Sequence, residues 1–190
     1  NRQKNMDLDI PKDFNSDSDD QPFTACKVCE RDLSKGEVPY SIEKAYKRVD
    51  EDKDVTLFEV AICMPCAEKQ AEKMSKESRA YLMQMMGGVA HIEKRQKMWE
   101  SNWRENWKSA CLFSDEEIKL NDEYHIVGQF MGGKLLPQMT PFVIGQSYIE
   151  AIQENLSLET KEEMDRFGAQ FLGPDPSLRA LLKDHQFVLV

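Results

Sequence analysis

The sequence predicts an α+β fold of two similar lobes, each with a tight turn, a β-hairpin and a helix, joined by a helical connector. Two Cys-x-x-Cys pairs flank a stretch in which apolar and polar residues alternate, as they do in half-buried strands. Directly after the second pair, the apolar period becomes that of a helix. A shift of 85 positions then places much of this pattern on a later part of the chain, which predicts an internal repeat.

The two cysteine pairs are Cys26 with Cys29 and Cys63 with Cys66. Two residues between thiolates let both sulfurs of a pair reach one ion, and two such pairs complete a tetrahedron. In a chain without an export signal, this spacing favours a metal site over disulfides. The sequence therefore predicts one structural Zn²⁺ in a closed site. Iron in a Cys₄ site, a redox dithiol and two disulfides stay open as alternatives.

The residues between and after the cysteine pairs predict a hairpin followed by a helix. Gly36 suits a left-handed turn, and apolar residues then alternate as far as Tyr46. The β-rich run 55–62 is the return strand, which delivers the second cysteine pair. From Cys66 onward apolar residues share one helical face, and Gly87 is expected to end that helix.

This order of cysteine knuckle, hairpin and cysteine-bearing helix resembles the treble-clef zinc fingers. The resemblance covers residues 22–88 and rests on four residues: Cys26, Cys29, Cys63 and Cys66. It implies that these four cysteines bind Zn²⁺. The treble-clef class is shared by nucleic-acid-binding, ubiquitin-pathway and adaptor proteins, so the resemblance implies an architecture and leaves the activity open.

The shifted match predicts a second lobe that has lost its metal. Cys26 falls on Cys111, and Gly36 falls on Asn121, the next-best residue for a left-handed turn. The other three ligand positions fall, with short gaps, on Ser114, Gly145 and Tyr148. One thiol cannot hold zinc, so Cys111 is expected to be a buried packing residue. The second lobe should rely instead on a larger apolar interior and on contact with the first.

Composition and pattern divide the chain into five predicted segments. They are a disordered acidic tail (1–21), a Cys₄ zinc-binding treble-clef-like lobe (22–88), a Trp-rich helical connector (89–109), a degenerate metal-free repeat lobe (110–172) and a C-terminal short helix and strand (173–190).

The connector carries the three tryptophans of the chain at helical spacing, together with several basic residues. On one helix they would form an aromatic stripe that binds a protein partner or stacks on RNA. The alternative, which the sequence favours, is a stripe buried between the lobes with solvated charges around it. The candidate partner-binding residues are Trp99, Trp103, Trp107, Lys94, Arg95 and Arg104.

The composition excludes several classes of function. With a net charge of −9, the chain is unsuited to general nucleic-acid or anionic-membrane binding, although a local basic patch would be compatible with it. No apolar run approaches the roughly 20 residues that span a bilayer, and the start lacks the apolar core of a signal peptide. We therefore expect a cytoplasmic protein without a membrane partner.

Three functions remain as hypotheses. The preferred one is a non-enzymatic structural-zinc protein that acts as a protein-interaction module. The alternatives are a nucleic-acid binder that uses the connector helix, and an enzyme with a site between the lobes. The sequence contains no phosphate-binding loop, nucleophile elbow or zinc-protease motif, so no catalytic residue is assigned. Pairing Cys111 with His125 as a catalytic dyad has no visible third partner.

Overall fold

The computed structural model describes residues 8–172, which form an antiparallel five-stranded sheet with six α-helices. The strands are β1 (Tyr40–Asp50), β2 (Lys53–Cys63), β3 (Glu123–Met131), β4 (Lys134–Leu135) and β5 (Phe142–Gly145). The helices are α1 (Met64–Glu72), α2 (Lys76–Met86), α3 (Val89–Glu100), α4 (Trp103–Asn106), α5 (Gln146–Glu154) and α6 (Leu158–Phe167). The predicted C-terminal helix and strand, 173–190, lie outside the described residues, as do residues 1–7.

Both predicted hairpins form, and they join into one sheet. β1 pairs antiparallel with β2 on one side and with β3 on the other, while β3 carries β4 and β5 along its far edge. Along the β1–β3 ladder, Tyr40 lies opposite Phe130 and Tyr46 lies opposite Tyr124. The expected contact between the two halves is therefore a continuous backbone ladder in addition to side-chain packing.

The predicted single helix after Cys66 is in fact two helices, α1 and α2. The break falls before Ser75, whose hydroxyl accepts a hydrogen bond from the amide of Ser78 at 3.1 Å and so caps α2. Serine is among the residues that favour this N-cap position over the helix interior. As predicted, α2 ends at the glycine pair, with Gly87 as its C-cap.

The second half shows the same division, with Ser157 capping α6 by accepting from the amide of Thr160 at 3.2 Å. The two capped ends also bond to each other. The amide of Ser75 donates to the Thr160 hydroxyl at 3.0 Å, and the amide of Ser157 donates to the Ser78 hydroxyl at 2.9 Å. This reciprocal pair of bonds fastens α2 to α6.

Residues 8–23, here called the N-terminal strap, lie across one face of the sheet. Phe14 is fully buried, with its ring centroid 5.7 Å from that of Trp107 and 5.1 Å from that of Phe130. Gly128 makes room for this contact, since a Cβ there would lie 2.9 Å from the Phe14 ring. The structure thus differs from the predicted disordered tail of residues 1–21 over the part it describes, because one aromatic anchor orders an otherwise polar segment.

The strap also neutralises a buried lysine on the same face. The Lys44 side chain is 2% exposed, and its Nζ contacts Asp17 of the strap and lies 3.1 Å from a carboxylate oxygen of Glu59. Burial opposes ionisation of Asp17, but its hydrogen bonds with Lys44 and Thr56 and the Lys44 charge together outweigh burial and hold the Asp17 pKa below its usual value. Buried charges persist when paired in this way.

Helices cover the opposite face of the sheet. There Ile144 of β5 packs with buried residues of α5 and α6, and methionines of α2 lie against the same cluster. The core therefore has two layers, one under the strap and the connector and one under the helices.

Candidate metal centre

The first cysteine pair lies on a tight turn ahead of β1. The amide of Cys26 donates to the carbonyl of Arg31 at 2.8 Å, and the amide of Glu30 donates to the carbonyl of Cys26 at 2.9 Å. Glu30 takes a left-handed φ of 60°, which allows the chain to reverse directly after Cys29. Closing the turn in this way brings both thiols of the pair to one side.

The second pair lies where β2 ends and α1 begins. Cys63 is both the last residue of β2 and the N-cap of α1, and Cys66 lies in the first turn of that helix. The amide of Lys27 donates to the carbonyl of Ala61 at 2.8 Å and so fastens the first turn to β2. The positive end of the helix dipole favours thiolate at this place.

The four thiols converge in a single group, with all Sγ atoms within 4.8 Å of one another: Cys26, Cys29, Cys63 and Cys66. The Sγ atoms of Cys29 and Cys63 are 3.7 Å apart, and the amide of Cys63 donates to the Sγ of Cys26 at 3.3 Å. Tetrahedral metal–sulfur bonds of about 2.3 Å would place neighbouring sulfurs about 3.8 Å apart. The group can therefore hold one metal ion.

The distances between the Sγ atoms distinguish a metal site from a disulfide framework. A disulfide joins its sulfurs at about 2.05 Å, whereas all four cysteines here are free thiols. Cys26 and Cys63 are almost fully buried, Cys66 is half-buried and Cys29 is exposed. The ion would thus lie at the edge of the core, with one ligand facing water.

The electrostatics of the site favour a bound cation. A hydrogen bond from the backbone amide of Arg31 lowers the pKa of the Cys29 thiol to about 7. Burial raises the pKa values of Cys63 and Cys66, and neighbouring thiols raise that of Cys66 further. Four thiolates at this separation would repel one another strongly, so their joint ionisation requires a positive ion between them.

The second half repeats the backbone of the first turn at a distance of 85 residues. The amide of Cys111 donates to the carbonyl of Glu116 at 2.9 Å, and Asp115 has the same left-handed φ of 60° as Glu30. The hydroxyl of Ser114 accepts from the amide of Glu116 at 3.4 Å, in the place where Cys29 accepts from Arg31. The amide of Leu112 donates to the carbonyl of Val143 at 2.9 Å, as Lys27 does to Ala61.

Side chains rather than an ion fill the corresponding space of the second half. A Cβ on Gly145 would lie 3.3 Å from the Cβ of Cys111 and 3.3 Å from the Cδ1 of Ile118, which leaves little free volume. The Tyr148 ring stacks on Phe113 with centroids 4.9 Å apart, and its hydroxyl donates to the carbonyl of Met85 at 2.7 Å. Cys111 is buried, as the sequence predicts.

The three connector tryptophans are buried, with exposed fractions of 6, 9 and 6% for Trp99, Trp103 and Trp107. They do not lie on one helix, because α3 ends at Glu100 and α4 begins at Trp103. Trp99 stacks on Trp103 at 6.5 Å between centroids. The tryptophans are therefore not an exposed stripe for a partner or for RNA. Their burial agrees with the packing alternative, but they do not form one stripe on one helix.

The three basic candidates of the connector bond within the protein. Lys94 donates to the carbonyl of Leu112 at 2.7 Å and pairs with Asp115. Arg95 donates to the carbonyl of Thr140, and Arg104 lies over the Trp103 ring and donates to the strap. These three side chains hold the connector to its neighbours.

The groups that orient the thiols are backbone atoms, above all the amide of Arg31 and the carbonyl of Ala61, and the sequence does not predict them. Nearly every residue has a backbone donor and acceptor, so the residue type does not show which of them are used. Gly36 does take the predicted left-handed turn, with a φ of 69°.

No protein-family model, curated protein or solved structure matches this chain. Among the residues that the structure describes, no helix is both long and apolar enough to cross a membrane.

Proposed function

We propose that this chain is a non-enzymatic zinc protein in which one structural Zn²⁺ shapes a surface that binds another protein. The observation that carries the proposal is the convergence of four thiols within 4.8 Å. Four sulfur donors suit Zn²⁺ and leave no coordination position for a substrate. Among the residues that the structure describes, the group contains four potential ligands and no fifth.

We further propose that the chain is a duplicated treble-clef-like fold whose second copy has lost its ion. Support comes from the repeated turn at residues 26–31 and 111–116 and from equal φ values of 69° at Gly36 and Asn121. The reciprocal cap bonds between α2 and α6 fit a local two-fold relation between the copies.

The interaction surface that we propose is the corner between α2 and α3. Met83, Val89 and Ile92 are 75, 70 and 60% exposed there, and they follow one another closely along the chain. Large exposed apolar side chains concentrated in one segment are typical of protein-binding surfaces. The burial of the connector tryptophans removes the stacking surface on which the nucleic-acid alternative depends.

Two measurements test this function. Elemental analysis of the purified protein should give one zinc per chain, whereas iron or no metal would contradict the proposed centre. A photo-crosslinking residue at position 89 should capture a protein partner in cells. The same residue at the exposed Leu120, far along the chain from this corner, is the control, and equal capture from both positions would contradict the proposed surface.

A further inference from the structure

A cavity of about 400 Å³ lies between the two halves on the helical face of the sheet. Its floor includes Ser41 on β1 and Gln129 on β3, which lie opposite each other in the ladder. Ala71 of α1 and Phe142 of β5 form part of its apolar walls, and Arg95 of α3 also lines it. This volume and mixed lining are typical of small-molecule sites.

The cavity exists because α1 presents small side chains to the sheet. Ala67 and Ala71 line the cavity. A shift of 82 positions, which superimposes the bounds of α1 on those of α5, places the buried Ile149 on Ala67. The second half thus fills a space that the first half leaves open.

Arg95 is a cation without a counter-ion in this cavity. Its Nε and Nη2 donate to the carbonyl of Thr140 at 3.2 and 2.7 Å, and its guanidinium lies 4.8 Å from the centre of the Phe142 ring. Within residues 8–172, no carboxylate lies within ion-pair distance of it. Burial alone lowers its pKa to about 10. A half-buried guanidinium is normally paired, so this one leaves an anion position open.

Gln129 adds a second unmatched group. Its Oε1 is buried and has no hydrogen-bond partner among the described residues. Because rotation of the amide exchanges its oxygen and its NH₂ group, Gln129 can present a donor to an anion in the cavity. Among the described residues that line the cavity, Glu68, exposed on α1, is the one carboxylate, and it would weaken rather than prevent anion binding.

We propose that the protein binds a small amphipathic carboxylate in this cavity, with its carboxylate on Arg95 and its apolar chain between α1 and Phe142. A cavity of about 400 Å³ accommodates an acid of about ten carbons. The guanidinium matches a carboxylate in shape as well as charge, and the methionines of the wall adapt to aliphatic or aromatic chains.

Isothermal titration of the metal-loaded protein with octanoate tests the proposal. We expect a Kd of about 10–100 μM for octanoate and at least about tenfold weaker binding of octylammonium, which has the same chain and the opposite charge. Octanoate without measurable binding at millimolar concentration would overturn the proposal, and so would equal affinities for octanoate and octylammonium.

Two variants separate the head-group contact from the chain contact. Arg95→Gln should weaken octanoate about tenfold, whereas Lys97→Gln, which removes the same charge from an exposed position of α3, should leave it unchanged. Ala71→Leu should abolish binding by filling the cavity, whereas Ala80→Leu on the exposed side of α2 should not. Octanoate binding that survives both Arg95→Gln and Ala71→Leu would place the ligand elsewhere and overturn the assignment.

Discussion

The two halves of the molecule close the same backbone turn by different means. In the first half, four thiols converge within 4.8 Å at the junction of turn, strand and helix. In the second half, the equivalent positions are Cys111, Ser114, Gly145 and Tyr148, and the junction is filled by side chains. The hydrogen bonds of the turn are nevertheless the same, so they do not depend on whether thiols or other side chains occupy the junction.

The two halves also differ in how many apolar side chains they bury behind this turn. In the second half, Ile149, Ile152 and Leu156 are buried. In the first half, the positions 82 residues earlier are Ala67, Gln70 and Met74. A module of this size has little core of its own, so it needs a metal or additional apolar burial. The ladder between β1 and β3 then shares that stability between the halves.

Metal removal should have the largest effect on this comparison. Structural zinc contributes about 10 kcal/mol of apparent binding free energy, which is comparable with the whole stability of a typical domain. We expect chelation, or Cys63→Ser, to abolish the cooperative thermal transition of the first half, as followed by circular dichroism and calorimetry.

The matched control is Cys111→Ser, which removes the equivalent thiol from the second half, where Ser114, Gly145 and Tyr148 occupy the other three ligand positions. It should retain the metal and a cooperative transition, with a loss of about 1–2 kcal/mol for a buried hydroxyl in an apolar place. Equal losses in Cys63→Ser and Cys111→Ser would contradict the proposed division of roles.

Restoring the missing ligands should give the second half an ion. Because the turn keeps its backbone, the triple variant Ser114→Cys, Gly145→Cys and Tyr148→Cys should bind a second equivalent of metal, measured by elemental analysis. A Cβ at position 145 would lie 4.0 Å from the Sγ of Cys111, so a cysteine there would start next to that sulfur. One equivalent in the folded triple variant would show that the two turns differ more than their hydrogen bonds indicate.

Removing the stacked Tyr148 ring should destabilise the second half without affecting metal binding in the first. Tyr148→Ala removes a ring stacked on Phe113 and should lower the free energy of unfolding by about 3 kcal/mol, measured by urea denaturation. Tyr148→Phe keeps the ring and removes only the bond to the Met85 carbonyl, so it should cost about 1 kcal/mol. If the two variants were equally stable, the hydroxyl rather than the stack would hold the junction.

The features that could be predicted from the sequence are those that depend on residue spacing and on hydrophobic periodicity. The cysteine group, both hairpins, the left-handed Gly36 and Asn121 and the end of α2 at Gly87 all follow from local patterns. Two other features follow from contacts between distant segments. The strap is acidic and polar, and its attachment to the sheet depends on the contact of Phe14 with Trp107. The β1–β3 register joins strands that are far apart in the chain, which no local period specifies.

Metal affinity in the first half should depend on pH with a change of slope near neutrality. Binding requires thiolates, so protons compete and affinity rises with pH. The pKa of Cys29 is about 7 because the Arg31 amide stabilises its thiolate, whereas burial raises that of Cys63. Above pH 7 Cys29 has already lost its proton, so the slope of log affinity should be about one lower than below pH 7. Competition with a chromophoric chelator measures it, and a constant slope would contradict this account.

The capped helix starts should give the smallest and most symmetric effect. Ser75→Ala and Ser157→Ala each remove an N-cap, and each should cost about 1 kcal/mol in chemical denaturation. Since the two hydroxyls lie 3.0 Å apart, the double variant should lose less than the sum of the single losses by about 0.5 kcal/mol or more. Additive losses would show that the caps act separately, and the reciprocal bonds between α2 and α6 would then not couple the halves.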